Sequence, residues 1–180
     1  MKYLKTKVLI DYKKVVYRDF LLSADDHLKD VHTAILKAFE FEGKQMASFL
    51  KEDENWQARE EYPLEDLGVP NQKLMEKTKV KEVLQEVGDQ LSYVYDYLNE
   101  WKFHLEVVEQ QEKKEKIDSP QIIKKYGTAP KESERDLSGT DAAEILVDAL
   151  ISDKDLYPDD DSDLSNSSDF DSLDDYEEFQ

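Results

Sequence analysis

At 180 residues, with 24 basic against 43 acidic side chains and a net charge of −19, the chain has room for one ordinary domain and a little more. No run approaches the ~18 apolar residues of a membrane span, and the opening residues lack the apolar core of a signal peptide. Zero Cys excludes disulfides, thiol catalysis and Cys-ligated zinc or iron–sulfur sites but does not set the compartment, and a soluble cytoplasmic protein is the default expectation.

The charge is uneven. Residues 153–180 hold 12 acids and one Lys, a net of −11, which leaves −8 on residues 1–152. Direct nucleic-acid binding is disfavoured, because neutralising phosphates requires clustered Lys and Arg. The one basic segment is residues 1–20, where Lys2, Lys5, Lys7, Lys13, Lys14 and Arg18 face Asp11 and Asp19, a net of +4.

In chain order, Tyr3–Ile10 and Val15–Leu22 are rich in strand formers and lie close enough to predict a hairpin. The period then changes. Leu28, Val31, His32, Ile35, Leu36 and Phe39 recur at helical spacing, with Ser23 and Asp26 as a candidate capping box. Ala47–Leu50 and Trp56–Arg59 are short β-prone pieces, and Pro63, Gly68 and Pro70 punctuate a loop. Val80, Val83, Leu84 and Val87 predict a second helix, with Thr78 as N-cap and Gly88 as its stop.

The strongest β signal follows. Alternation places Leu91, Tyr93, Tyr95 and Tyr97 on one face, and Trp101, Phe103, Leu105 and Val107 on one face of a partner strand. The connector Leu98-Asn99-Glu100 predicts a tight hairpin. A last strand is expected around Gln121–Ile123, a polar loop over 127–140, and a short helix carrying Ile145, Leu146 and Leu150. Residues 153–180 alternate acids with Leu156, Tyr157, Leu164, Phe170, Leu173, Tyr176 and Phe179. Such a segment is expected to be disordered, because its apolar content cannot offset the ordering entropy.

The stretch Tyr93-Val94-Tyr95-Asp96-Tyr97-Leu98-Asn99-Glu100-Trp101-Lys102-Phe103-His104 is similar to an aromatic motif, Tyr-x-Tyr-Asp-Phe-Gly-Asp-x-Trp-x-His. Leu98-Asn99 replaces its Gly-Asp, and His104 stands one place late. Arg18, Leu28 and Val31-His32 fit its upstream Arg and Leu-His positions, and Gly127-Thr128-Ala129-Pro130-Lys131-Glu132 is similar to an eroded form of a downstream Gly-x-x-Ala-Pro-Pro-Glu-Asp loop that lacks the second Pro. Over residues 3–132 the chain therefore resembles the family named after the third open reading frame of the agrobacterial Ri plasmid. Its members are sometimes labelled TnpR-type resolvases or passenger proteins of insertion elements. The resemblance implies an α+β domain with an antiparallel sheet, and a link to plasmids or mobile elements in bacteria.

Resolvase chemistry does not follow from these residues. A serine recombinase needs a nucleophile just after its first strand, and here Asp11-Tyr12-Lys13-Lys14 stands there. A tyrosine recombinase needs a His-x-x-Arg pair, but the three His are followed three places on by Asp30, Ile35 and Val107. Arg18, Arg59 and Arg135 are the only Arg residues available to clamp a phosphate. No Gly-rich phosphate loop, Gly-x-Ser-x-Gly elbow or zinc helix occurs. His27 and His32 lie ~140° apart on a helix and cannot share a metal. No cofactor and no metal site are expected.

Asp96 and His104 could approach across paired strands as a general base or half a metal site, or stand as polar residues of a half-solvated sheet. His32 on the apolar helix face reads as a hydrogen-bonded core residue. Tyr93, Tyr95 and Tyr97 could form a stacking platform or simply pack against Trp101 and Phe103. The candidate binding residues are thus Tyr93, Tyr95, Asp96, Trp101, His104, His32 and Arg18.

These readings combine into an α+β domain over 1–126 with an antiparallel sheet and two to three helices. A loop and short helix follow over 127–152, then the acidic tail 153–180. The expected function is a non-enzymatic binding or accessory protein whose tail docks a basic protein partner. The alternative is a small hydrolase or nucleic-acid-processing domain using Asp96, Trp101 and His104. A pocket gathering Asp96, His104 and His32 would favour the enzyme. A sheet holding them apart would favour the binding protein.

Overall fold

The computed structural model describes residues 1–53 and 57–135, within a compact unit that spans Met1–Gly139. Trp56, the short helix expected beyond Asp141 and the acidic segment 153–180 lie outside the described residues. Among the described residues seven strands form one sheet: β1 (Lys2–Ile10), β2 (Tyr17–Ser23), β3 (Ala47–Glu52), β4 (Ala58–Pro63), β5 (Gln90–Tyr95), β6 (Trp101–Glu112) and β7 (Gln121–Tyr126). Their order is β4-β3-β5-β6-β1-β2-β7, with every neighbouring pair antiparallel.

The architecture is richer in sheet than expected. Among the described residues two α-helices accompany it, α1 (Leu28–Phe39) and α2 (Val80–Val83), the second a single turn. The second helix is cut short because the Asp89 carboxylate accepts from the amides of Gln85 and Glu86, at 2.6 and 3.0 Å. Those amides are thereby withdrawn from a continuing helix. Leu84 is already extended, and Val87 is 59% exposed rather than part of a buried stripe. Thr78 is not the cap; Lys79 holds that position, and its amide donates to Glu82 Oε1 at 2.8 Å.

The cap of α1 also lies later than predicted. Asp26 accepts from the Ser23 amide, but this closes the turn leaving β2. The helix starts after His27, whose amide donates to Asp30 Oδ2 at 3.1 Å. From there Leu28, Val31, Ile35 and Phe39 run down one face of α1 into the core, as the spacing predicts.

Long central β6 organises the sheet, pairing β5 on one side and β1 on the other. Its alternation sends Trp101, Phe103, Leu105 and Val107 into the core and leaves Lys102, His104 and Glu106 on the opposite face. Phe39 of α1 meets Phe103 edge-on, with ring centroids 5.0 Å apart. No helix among the described residues is long and apolar enough to cross a membrane.

Candidate functional site

The hairpin β5–β6 pairs Tyr93 with Phe103 and Tyr95 with Trp101, and all four rings are fully buried on the core face. The Tyr93 hydroxyl meets His32 Nδ1 at 2.7 Å. Burial pushes the Tyr93 phenol well up, and it lowers His32 to about 4 with a smaller contribution from Lys29, so the imidazole is neutral at pH 7.

Tyr97 departs from the expected face. Asp96 adopts a left-handed backbone, φ 59°, which ends β5 and breaks the alternation. Its carboxylate accepts from the amides of Leu98 and Asn99, at 3.1 and 3.3 Å, and from Asn99 Nδ2 at 2.7 Å. Asp96 therefore caps the hairpin turn. Tyr97, 39% exposed, bonds Ser48 Oγ through its hydroxyl instead of joining the core stripe.

His104 lies elsewhere. It pairs in register with Ser92 and Leu9, four residues along β6 from the turn end, and it faces away from the core. Beside it Ser92 Oγ donates to Glu52 Oε2 at 2.6 Å and Lys102 Nζ to Glu52 Oε1 at 2.9 Å. Burial works against ionisation of Glu52, but these two donors and the neighbouring His104 outweigh it and hold the carboxyl below its usual range. The structure thus divides the candidates: His32 on the core side, His104 on the opposite face, and Asp96 in the turn.

Arg18 is buried, and its guanidinium is occupied by backbone. Nε donates to Ala38 O at 3.2 Å, and Nη1 lies within reach of Tyr17 O and Tyr126 O, both at 2.8 Å, and Gly127 O at 3.2 Å. It joins β2, the end of α1 and the exit of β7.

That exit leads to residues 127–135, which close over the Tyr95–Trp101 end of the hairpin and finish in a 3-10 turn, Glu132–Arg135. Tyr95 Oη donates to Glu132 Oε1 at 2.8 Å and accepts from the amides of Gly43 and Lys44, at 3.0 and 3.1 Å. Burial first, then the Glu132 carboxylate, push this phenol up to about 12. Glu132 Oε2 accepts from the Glu42 amide at 2.7 Å, and its carbonyl accepts from Trp101 Nε1 at 3.3 Å. Arg135 lies over the Trp101 ring, 4.6 Å from its centroid, and donates to the carbonyls of Glu100 and Asp11.

Next to Arg135 a cleft of about 600 Å³ is lined by Asp11, Val94, Asn99, Glu100 and Lys102. Its mixed charges suit a polar ligand or a peptide. Glu132 was not singled out in the sequence, although it ends the stretch that resembles the family's downstream loop. Ser92, Glu52 and Lys102 carried no signal at all, because sheet register alone brings them together.

The chain belongs to the Plasmid pRiA4b ORF-3-like protein family, whose pattern matches residues 3–175. In fold it is similar to the crystal structure of a protein of unknown function, MM3350 from Methanosarcina mazei Go1. The two are 20% identical, with 90% of this chain and 91% of that chain covered and a TM-score of 0.62. No curated protein matches the chain.

Proposed function

We propose that this member of the Plasmid pRiA4b ORF-3-like family is a non-enzymatic binding or accessory protein associated with plasmids or mobile elements. Its acidic segment 153–180 docks a basic protein partner. The observation that carries this reading is where the motif's polar groups are spent. Tyr95, Trp101 and Arg18 direct their donors at the protein's own carboxylate and carbonyls, building a scaffold rather than a reactive centre.

The hydrolase alternative asks Asp96 and His104 to converge on one reacting atom, within about 2.6–3.2 Å of the proton moved. Trp101 points into the core, His104 away from it, and the Asp96 carboxylate is held by the turn. Binding is therefore the better-supported reading. A net of −11 within residues 153–180 supplies long-range attraction for a basic surface, and the interspersed aromatic residues supply contacts once it arrives.

The test is affinity purification from the protein's own cells with three baits: the full chain, a chain ending at Ser152, and a full chain with the tail Asp residues changed to Asn. A basic protein recovered by the first bait alone, and lost as salt is raised through a few hundred millimolar, is the expected result. Equal recovery by all three would overturn the tail's role.

A further inference from the structure

The loop that leaves α1 is shaped to receive an anion. Glu40 and Gly43 both have left-handed backbones, φ 62° and 75°, and between them they turn three successive amides toward the Tyr95–Trp101 corner. The Glu42 amide reaches Glu132 Oε2 directly, while the amides of Gly43 and Lys44 both donate to Tyr95 Oη. With its two acceptor positions filled, the Tyr95 hydroxyl must aim its proton at Glu132 Oε1. Each carboxylate oxygen therefore meets one aimed donor, an arrangement suited to a planar carboxylate. A phosphate would find no guanidinium here, because the Arg135 donors go to Glu100 O and Asp11 O.

The group now seated is held by weak means. None of the four residues of the Glu132–Arg135 turn is buried. Residues 131–135 are attached through hydrogen bonds and through Arg135 lying on Trp101, so opening them bares Trp101 but little apolar surface of their own, with the buried Pro130 staying in place. Beneath it lie the rings of Phe41, Tyr95 and Trp101, with Phe41 5.6 Å from Tyr95 and 5.1 Å from Trp101 between centroids. An apolar floor beside two convergent donors is the form of a side-chain-reading peptide site.

We propose that this corner is a carboxylate-binding site that Glu132 fills in cis, and that an acidic side chain of an extended partner peptide fills it in trans when residues 131–135 open. The site is built wholly from residues within Phe41–Arg135. Glu132 competes at the millimolar effective concentration typical of a short tether, so the partner's affinity is set by how readily the turn opens.

The test uses the full chain carrying Trp56→Phe, which leaves Trp101 as its one indole, and adds Glu132→Ala. Acetate matches the missing CH2–carboxylate fragment. In Glu132→Ala it is expected to bind saturably at millimolar concentration, changing Trp101 fluorescence and shifting the amide resonances of Glu42, Gly43 and Lys44. The chain retaining Glu132 should need about twofold more or higher, because its own carboxylate competes. A peptide of residues 129–133 should bind Glu132→Ala more tightly than the same peptide with Gln in place of its Glu.

No saturable response in Glu132→Ala, or an equal response to phosphate or chloride at matched ionic strength, would overturn the site. Should Glu132→Ala fail to fold, Glu132→Gln replaces it, since it keeps the side-chain shape but offers one acceptor where two donors converge. Its response to acetate is expected between those of the alanine variant and the parent. Behaviour indistinguishable from the parent would overturn the proposal on that arm.

Discussion

The hydroxyl of Tyr93 and Nδ1 of His32 lie 2.7 Å apart in the sealed interior, joining β5 to α1. Burial keeps the imidazole neutral, with a value lowered from 6.5 to about 4. A depressed value means that the unfolded chain takes up a proton the fold refuses. The contribution of His32 is therefore complete above about pH 6.5 and is lost as pH falls toward 4, to a limit on the order of 3 kcal/mol. Urea unfolding at pH 7 and pH 5 should show a loss that His32→Asn reduces. An NMR titration placing the His32 midpoint near 6.5 would remove this account.

Arg18 gathers the carbonyls of Ala38, Tyr17, Tyr126 and Gly127, which a single ammonium cannot span. Arg18→Lys is expected to cost about 2–3 kcal/mol, the scale of charged hydrogen bonds lost in a buried place. Hydrogen exchange should locate the effect in β7, whose amides on the edge of the sheet lose protection first. Unchanged exchange there would mean that the guanidinium does not tie β7 down.

Gly127 sits where a side chain has no room. A Cβ added to it would stand 2.7 Å from Val15 O and 3.1 Å from Val16 Cγ2, at φ +73°. Gly68 has nearly the same backbone, φ +76°, and open space around it. Gly68→Ala should cost about 1 kcal/mol from the backbone alone, and Gly127→Ala clearly more because the Val15–Val16 backbone leading into β2 must move. Thermal unfolding of the two variants decides this, and equal shifts would count against the close approach.

Asp96 is a turn cap in a conformation that Asn shares readily. Asp96→Asn should hold stability within about 0.5 kcal/mol, while Asp96→Ala loses the turn bonds and costs about 1–2 kcal/mol. If Asp96→Asn proved as damaging as Asp96→Ala, the negative charge itself would matter and the hydrolase reading would regain force.

Much of the fold was legible because it is written in local periods. Alternation at Tyr93, Tyr95, Trp101 and Phe103 marks the core face of a hairpin, and the spacing of Leu28, Val31, Ile35 and Phe39 marks α1. Failures came where a side chain captured backbone amides. Asp89 cut α2 to one turn, Asp96 turned Tyr97 off the core stripe, and Asp30 moved the cap of α1 to His27. Each is a short-range competition between a carboxylate and the regular ladder, which hydrophobic pattern does not record.

The site was less legible than the fold. The motif named Tyr95, Trp101 and Arg18, and the structure gives each a partner far along the chain. Glu132 meets Tyr95 from 37 residues away and the Glu42 amide from 90, and Arg18 reaches Tyr126 across 108. Ser92, Glu52, Lys102 and His104 meet solely through the order β3-β5-β6.

By itself, then, the sequence determined the antiparallel sheet, its principal hairpins and first helix, and where the charge concentrates. These depend on side-chain period and composition, which act between near neighbours. Tertiary structure alone decided that Asp96, His104 and His32 stand apart and that Glu132 closes over the Tyr95–Trp101 corner. Those outcomes depend on strand order and register, which are set by burying many apolar faces at once.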